Sequence, residues 1–317
     1  MPILVSNKWT KHALLLGISY IVIELADPNT GIGYLALNFT LQQRMHLSAL
    51  EMATFISISQ FAWYVKPVAA ILSDNVPIFG TRRRGYLLIA ALTAAVLWLL
   101  LGSMFPSYYP FLALSIALNA MLMLMSTVMG GFLVERGQQD NATGRLSSNR
   151  SMAENLVALM AGPVAGLLAK FVLGVGAGII ASLLFSFTVL LYYLMREKSG
   201  GQFNHQTWRT TVRHTRKCFC SRDMWTATGI LCLLYFTPGF QTPLFYYQTQ
   251  TLKFSSQLIG NLSALTAAFS LLVFRCLVWV IAKLTHVWDV QIELTGSMVG
   301  YSSEVDEVFK SPSHSFC

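Results

Sequence analysis

Glu24 and Asp27, three residues apart inside the apolar stretch Ala13–Phe39, are the first residues whose types could do chemistry. A carboxylate at membrane depth is costly and usually faces a cavity, a partner charge or an ion path. Continuing at helical spacing adds Gly31, Tyr34 and Asn38, so these five positions share one face, while Leu25, Leu35 and Leu37 lie off it. Asp27-Pro28 weakens the helix there, because proline removes a backbone donor and disfavours helical geometry before it. A broken helix carrying two acids fits a substrate or proton site. The alternative is a packed polar interface in which the acids pair with a neighbouring cation. Arg275 is a cation deep in another apolar stretch. It fits binding of an anionic group, neutralisation of Glu24 or Asp27, or snorkelling from a shifted boundary. Lys66, one turn from the end of its stretch, admits the snorkelling reading too. Ser115 and Asn119 share a face. Interhelical hydrogen bonding is their simplest reading, with Asn119 also a candidate for solute contact. Tyr235, Phe236, Phe240, Phe245, Tyr246 and Tyr247 crowd around Pro238-Gly239. They could stack on a planar ligand, and an interface belt also explains Tyr246 and Tyr247.

These residues must be held by helices in a bilayer. The 317 residues are 54% hydrophobic and 11% charged, with mean hydropathy +0.54. A soluble domain carries about 25% charged residues, so a disordered chain, a coiled coil and a disulfide-stapled domain are excluded, and an ordinary soluble enzyme does not fit. Eight apolar segments follow: Ala13–Phe39, Met52–Leu72, Tyr86–Phe105, Pro110–Val134, Leu156–Val172, Gly176–Leu194, Trp225–Tyr247 and Leu258–Ala282. Most are continuous rather than alternating, which fits helices and not a β-barrel. The expected fold is an all-α polytopic membrane bundle of about eight spans. No short apolar region with a cleavage site opens the chain, so the first span reads as retained.

Lys and Arg set the orientation. With the N-terminus cytoplasmic, seventeen of the 22 fall on the cytoplasmic side and only Arg44, Lys170 and Lys253 on the other. Both termini are then expected in the cytoplasm, with the plasma or an inner membrane as the site. The net charge of +8 follows from this bias and needs no nucleic-acid partner. The expected organisation is a six-helix bundle over 1–198, a basic cytoplasmic loop over 199–222, two helices of an incomplete second bundle over 223–284, and a polar tail over 285–317.

The stretch Lys66-Pro67-Val68-Ala69-Ala70-Ile71-Leu72-Ser73-Asp74-Asn75-Val76-Pro77-Ile78-Phe79-Gly80-Thr81-Arg82-Arg83-Arg84 resembles the loop between helices two and three of the major facilitator superfamily. Its particular form, Lys-Pro, then Ser-Asp, then Pro-Ile-x-Gly-x-Arg-Arg-Arg, looks like the folate–biopterin transporter family. The run from Phe236 to Tyr247 is similar to that family's seventh helix, and Gly162-Pro163 with Gly166 to the superfamily's fifth-helix motif. The resemblance implies a secondary carrier of folate- or pteridine-like solutes by alternating access. It implies gate roles for Asp74 and Arg82, Arg83 and Arg84, and makes Lys66 with Pro67 a family mark. A gate is physically sound, since a carboxylate and guanidinium groups at helix ends can pair in one conformation and part in another. The Arg cluster also serves as a topology determinant. Gly162, Pro163 and Gly166 give a small surface for close helix contact. Ala70 stands where the superfamily often has Gly. The family has twelve spans, so a truncated, spliced or frameshifted product is the expectation.

Further expectations are proton coupling through Glu24 or Asp27, no cofactor, no metal and no enzymatic activity. Cys218 and Cys220 with His205 and His214 match no common zinc spacing, and no phosphate-binding loop, metalloprotease helix or nucleophile elbow is present. The alternatives are a carrier for another organic solute and a transport-inactive membrane protein.

Overall fold

The computed structural model describes residues 7–78, 81, 83–139, 143–195, 213, 220–235, 240–273 and 276. The chain divides into two compact units, residues 1–265 and 266–317. Among the described residues there is no strand, only an isolated bridge between Ile78 and Thr81. The helices are α1 (Asn7–Ala26), α2 (Tyr34–Phe39), α3 (Ala49–Ser59), α4 (Lys66–Asn75), α5 (Arg84–Ser103), α6 (Tyr108–Gln139), α7 (Thr143–Leu168), α8 (Leu173–Leu194), α9 (Arg222–Tyr235), α10 (Gln241–Tyr246) and α11 (Ser256–Val273). A π-helical turn follows each of α2 and α10, at Thr40–Arg44 and Tyr247–Thr251, and a 3-10 turn, Gln60–Val65, joins α3 to α4. Among the described residues six helical stretches are long and apolar enough to cross a membrane, and Ala13–Ala26 and Met224–Leu233 are shorter apolar helices.

The packing is that of a helical membrane bundle. On α5 the buried positions Leu87, Ala90, Ala91, Ala94, Ala95, Trp98 and Leu101 recur at helical spacing and pack chiefly against α8 and α6. Ile89, Leu92, Val96 and Leu99 are exposed on the same helix. Four alanines on the buried face, with large apolar residues on the exposed one, suit a solvent of lipid, where close helix approach rather than hydrophobic exclusion holds helices together. The glycines Gly162 and Gly260 extend this to α7 and α11. A Cβ on either would collide with the other's carbonyl oxygen.

The first expected span is not one helix. Helix α1 stops at Ala26 and α2 begins at Tyr34. Pro28 has no N–H to continue the ladder. The Asp27 carboxylate takes the N–H of Asn29 at 2.7 Å, and the Asp27 carbonyl takes that of Gly31 at 2.9 Å. The freed Ala26 carbonyl receives the indole N–H of Trp98 at 3.0 Å. Gly31 sits so tightly in this reversal that a Cβ would meet the Asp27 and Glu24 carbonyl oxygens at 2.6 and 2.7 Å, and that of Leu25 closer still. The single face expected to run from Glu24 to Asn38 is therefore cut, and its members point to different neighbours.

Two segments repeat bond for bond at an offset of 207 residues. Leu37 N–H to Gly33 carbonyl matches Leu244 to Phe240; Met45 to Thr40 matches Leu252 to Tyr247; Leu47 to Leu41 matches Phe254 to Gln248. His46 and Lys253 both take positive φ, 53° and 52°. Ser48 caps α3 by accepting from the N–H of Glu51, and Ser255 accepts from that of Leu258, each at 3.3 Å. The copies also touch at equivalent positions: the Gln42 amide donates to the Thr249 hydroxyl at 2.8 Å. Self-matched contacts of this kind mark a local two-fold relation.

The other sequence expectations shift in detail. The Met52–Leu72 span is α3, a 3-10 turn and part of α4. Residues 236–239, the loop 199–222 apart from 213 and 220–222, Arg275 and the tail 285–317 lie outside the described residues.

Gly31→Ala is expected to lower the melting temperature of the detergent-solubilised chain, followed by circular dichroism, by the equivalent of about 1–3 kcal/mol of overpacking. An unchanged melting temperature would show that the reversal has room for a side chain.

Candidate functional site

The broken first span feeds a polar network in the interior. Asn119, buried on α6, is its hub. Its side-chain oxygen accepts from the Asn29 amide at 3.3 Å and from the Trp63 indole N–H at 3.1 Å, while its own amide donates to the Ser115 carbonyl at 2.9 Å. The amide thus ties the reversal after α1, the turn before α4 and α6 together. One of its bonds is within α6 and two join segments, the interhelical hydrogen bonding that a polar residue in an apolar helix supplies.

About two helical turns along α6 from Asn119, at Ser126, charges collect. Lys66 opens α4, with Pro67 next to it in the first turn, where a missing N–H costs nothing. The ammonium donates to Ser126 on α6 at 3.1 Å and lies 5.1 Å from the centroid of the Trp63 ring. It is half-buried between helices rather than snorkelling outward. Arg150 on α7 pairs with Glu154 at 2.6 Å, and its guanidinium lies over the Tyr20 ring of α1, 4.8 Å from the centroid. Glu24 is half-buried on α1, within electrostatic reach of Asp27, Glu154, Arg150 and Lys66. Among the described residues no hydrogen-bond donor or cation contacts its carboxylate directly. Arg150, Glu154, Trp63 and Tyr20 were not legible as site residues. Arg150 reads as one more cytoplasmic cation, and only the packing of α1 on α7 carries it to Glu24.

Asp27 is committed to the reversal, where it holds the Asn29 N–H. Tyr34 reaches Ser263 on α11, hydroxyl to hydroxyl at 3.0 Å, and Asn38 is half-buried on α2. Neither joins the charged cluster. Gly162 and Gly166 lie at the contact of α7 with α11, where the Ser256 hydroxyl donates to the Gly166 carbonyl at 3.1 Å and the Gln257 amide to that of Pro163 at 3.3 Å.

The α4–α5 loop is closely bonded. Ile78 and Thr81 exchange both backbone bonds at 3.0 Å, the Thr81 hydroxyl receives the Gly85 N–H at 3.0 Å, and the Tyr86 hydroxyl donates to the Val76 carbonyl at 2.9 Å. Arg83 pairs with Glu135 of α6 at 2.6 Å. Arg84 stacks on Tyr192 of α8, 4.6 Å from the centroid, and donates to its carbonyl at 2.8 Å. Arg82 and the Asp74 side chain lie outside the described residues. Within the repeat, Gln42 meets Thr249, Phe39 packs edge-on against Phe245 with centroids 5.3 Å apart, and the Tyr246 hydroxyl donates to the Leu47 carbonyl.

Among the described residues no group of three or more His, Cys, Asp or Glu side chains could hold a metal. Cys220, Cys232 and Cys276 are free thiols, and Cys218 and Cys317 lie outside the described residues.

Residues 29–286 match the family model described as the BT1 family. The chain belongs to the BT1 family. It is an integral membrane protein. Its relatives include a protein of Synechocystis sp. named "Folate-biopterin transporter", 24% identical over 282 residues, covering 84% of this chain and 56% of that one. An Arabidopsis thaliana protein named "Probable folate-biopterin transporter 7" is 25% identical over 247 residues, 73% of this chain and 54% of that one. A Plasmodium falciparum protein named "Folate transporter 1" is 32% identical over 68 residues, 22% of this chain and 14% of that one. The chain thus spans about half the length of the curated relatives that it matches over most of its own length. No solved structure matches it.

Asn119→Leu is expected to strand the Trp63 indole and Asn29 amide donors and to destabilise the bundle by about 1–3 kcal/mol per buried donor. Thermal unfolding in detergent reads this, and a neutral effect would remove Asn119 from its hub position.

Proposed function

We propose that this chain belongs to a secondary carrier of folate- or pterin-like solutes of the major facilitator type. The observation that carries the reading is the BT1 match over residues 29–286, together with relatives named as folate or folate-biopterin transporters. The interior suits the chemistry. A pterin ring presents adjacent N–H donors that a carboxylate accepts in pairs, and Glu24 offers a carboxylate without a direct partner. Trp63, partly exposed, adds a flat surface against which a planar ring can stack.

Movement would follow alternating access, with contacts at the two ends of the bundle opening in turn. On one side stand Arg83–Glu135, Arg84–Tyr192 and Asp74; on the other stand Gln42–Thr249 and the ring contact of Phe39 with Phe245. Glu24 or Asp27 would carry a coupling proton, Glu24 being the freer of the two because Asp27 holds the backbone reversal. Tyr34, Asn38, Asn119 and Arg275 remain candidate contacts for the solute. On this reading residues 1–198 are the first bundle and 223–284 open the second, both termini lie in the cytoplasm, and the membrane is the plasma or an inner membrane.

Uptake of radiolabelled folate and biopterin into vesicles holding the chain is the test. Uptake of either, abolished by Asp74→Ala, supports the carrier and its gate; normal uptake by Asp74→Ala removes the gate role. pH-dependent uptake that Glu24→Gln or Asp27→Asn makes pH-independent supports coupling, and pH-independent uptake by the unaltered chain rules it out. Uptake of a different organic solute and neither pterin would move the chain to another substrate class.

A further inference from the structure

We propose that Lys66 and Arg150 form a recognition site for the carboxylate of an aromatic solute, with Lys66 the residue that contacts it. This deepens the carrier reading and rests on it for the transport step, though not for binding. The Lys66 ammonium has three N–H donors, of which one goes to Ser126. Its other neighbour, the Trp63 ring, supplies a π face and no negative charge. Among the described residues no carboxylate lies within ion-pair distance of Lys66, and the ion pairs found there belong to Arg83 and Arg150. A half-buried ammonium without a counter-ion is costly unless something brings one.

Three further features point at an anionic ligand with a flat ring. Arg150 gives Glu154 one short bond from Nε, and a guanidinium has five donors. Lys66 and Arg150 are close enough to repel, so an anion between them would relieve both. The Tyr20 hydroxyl is buried and makes no hydrogen bond of good geometry, although Arg150 covers its ring. Glu24 sits within electrostatic reach of both cations but touches neither. An incoming carboxylate would take over Lys66, and Trp63 would flank the attached ring. An arylcarboxylate, such as the aminobenzoyl-glutamate portion of a folate, has this form; an unconjugated pterin has the ring and lacks the charge.

The full chain, purified in detergent, is titrated calorimetrically with p-aminobenzoyl-glutamate, its uncharged diamide, folate and biopterin. The expected result is that the diamide binds roughly 10- to 100-fold more weakly than the acid, the worth of one charge-assisted hydrogen bond. Lys66→Met should erase that preference and Lys66→Arg should keep it. The proposal is overturned if the unaltered chain does not prefer acid to diamide, or if Lys66→Met binds the acid as well as the unaltered chain does. Should Lys66→Met fail to elute as a folded species, retention by Lys66→Arg and loss of preference in Arg150→Gln decide instead. The two readings separate cleanly. A Lys66-dependent preference for the acid with no binding of folate or biopterin sinks the pterin reading and keeps the anion site. Equal biopterin binding by the unaltered chain and Lys66→Met, with no acid preference, does the reverse.

Discussion

A helix that stops inside a membrane must find partners for the backbone groups it sets free, because lipid offers none. Most of this chain's interior is arranged around that need. The reversal after Ala26 frees a carbonyl that Trp98 of α5 takes, and it holds its own turn through the Asp27 carboxylate. Asn29 in the same reversal reaches Asn119, which is also the acceptor for Trp63. The break is thus joined to three other parts of the bundle. Each partner is a side chain that would be unfavourable in hydrocarbon alone, and each is satisfied by another.

The charges follow from the same constraint. Once the interior holds a polar network, Lys66, Arg150, Glu154 and Glu24 can sit beside it at lower cost than in lipid. Their arrangement is unequal. Arg150 and Glu154 satisfy each other, whereas Lys66 and Glu24 have no direct charge partner among the described residues. A structural role would favour closing those pairs. Leaving opposite charges near one another but unjoined suits a site whose occupant supplies part of the balance.

The repeat at an offset of 207 residues places two equivalent helix–turn–helix segments so that Gln42 and Thr249 meet. The same backbone bonds arise from dissimilar residues: Tyr-Leu-Ala-Leu-Asn-Phe in α2 against Gln-Thr-Pro-Leu-Phe-Tyr in α10. What the two share is the need to end a short helix, turn through a left-handed residue and restart at a serine cap. A contact between equivalent residues can be made or broken by a small rotation of one segment against the other. The Arg83–Glu135 and Arg84–Tyr192 contacts are of the same reversible kind, formed by side chains at helix ends.

Composition and the apolar runs determined that this is a helical membrane bundle, since about twenty apolar residues in lipid have few options other than a helix. The Asp27-Pro28 pair marked the break, and the Lys66–Arg84 loop carried the family. Local chemistry suffices for these. The repeat was not legible in the sequence, because its bonds are made by backbone that many sequences can supply. Tertiary structure alone decided which polar residues meet. Glu24 and Asp27 lie one turn apart, yet the reversal binds one and leaves the other facing Lys66 and Arg150. Arg150 is 126 positions from Glu24 in the chain and reaches it only because α1 packs on α7. A residue's type fixes the bonds it can make; packing between distant helices fixes the partner.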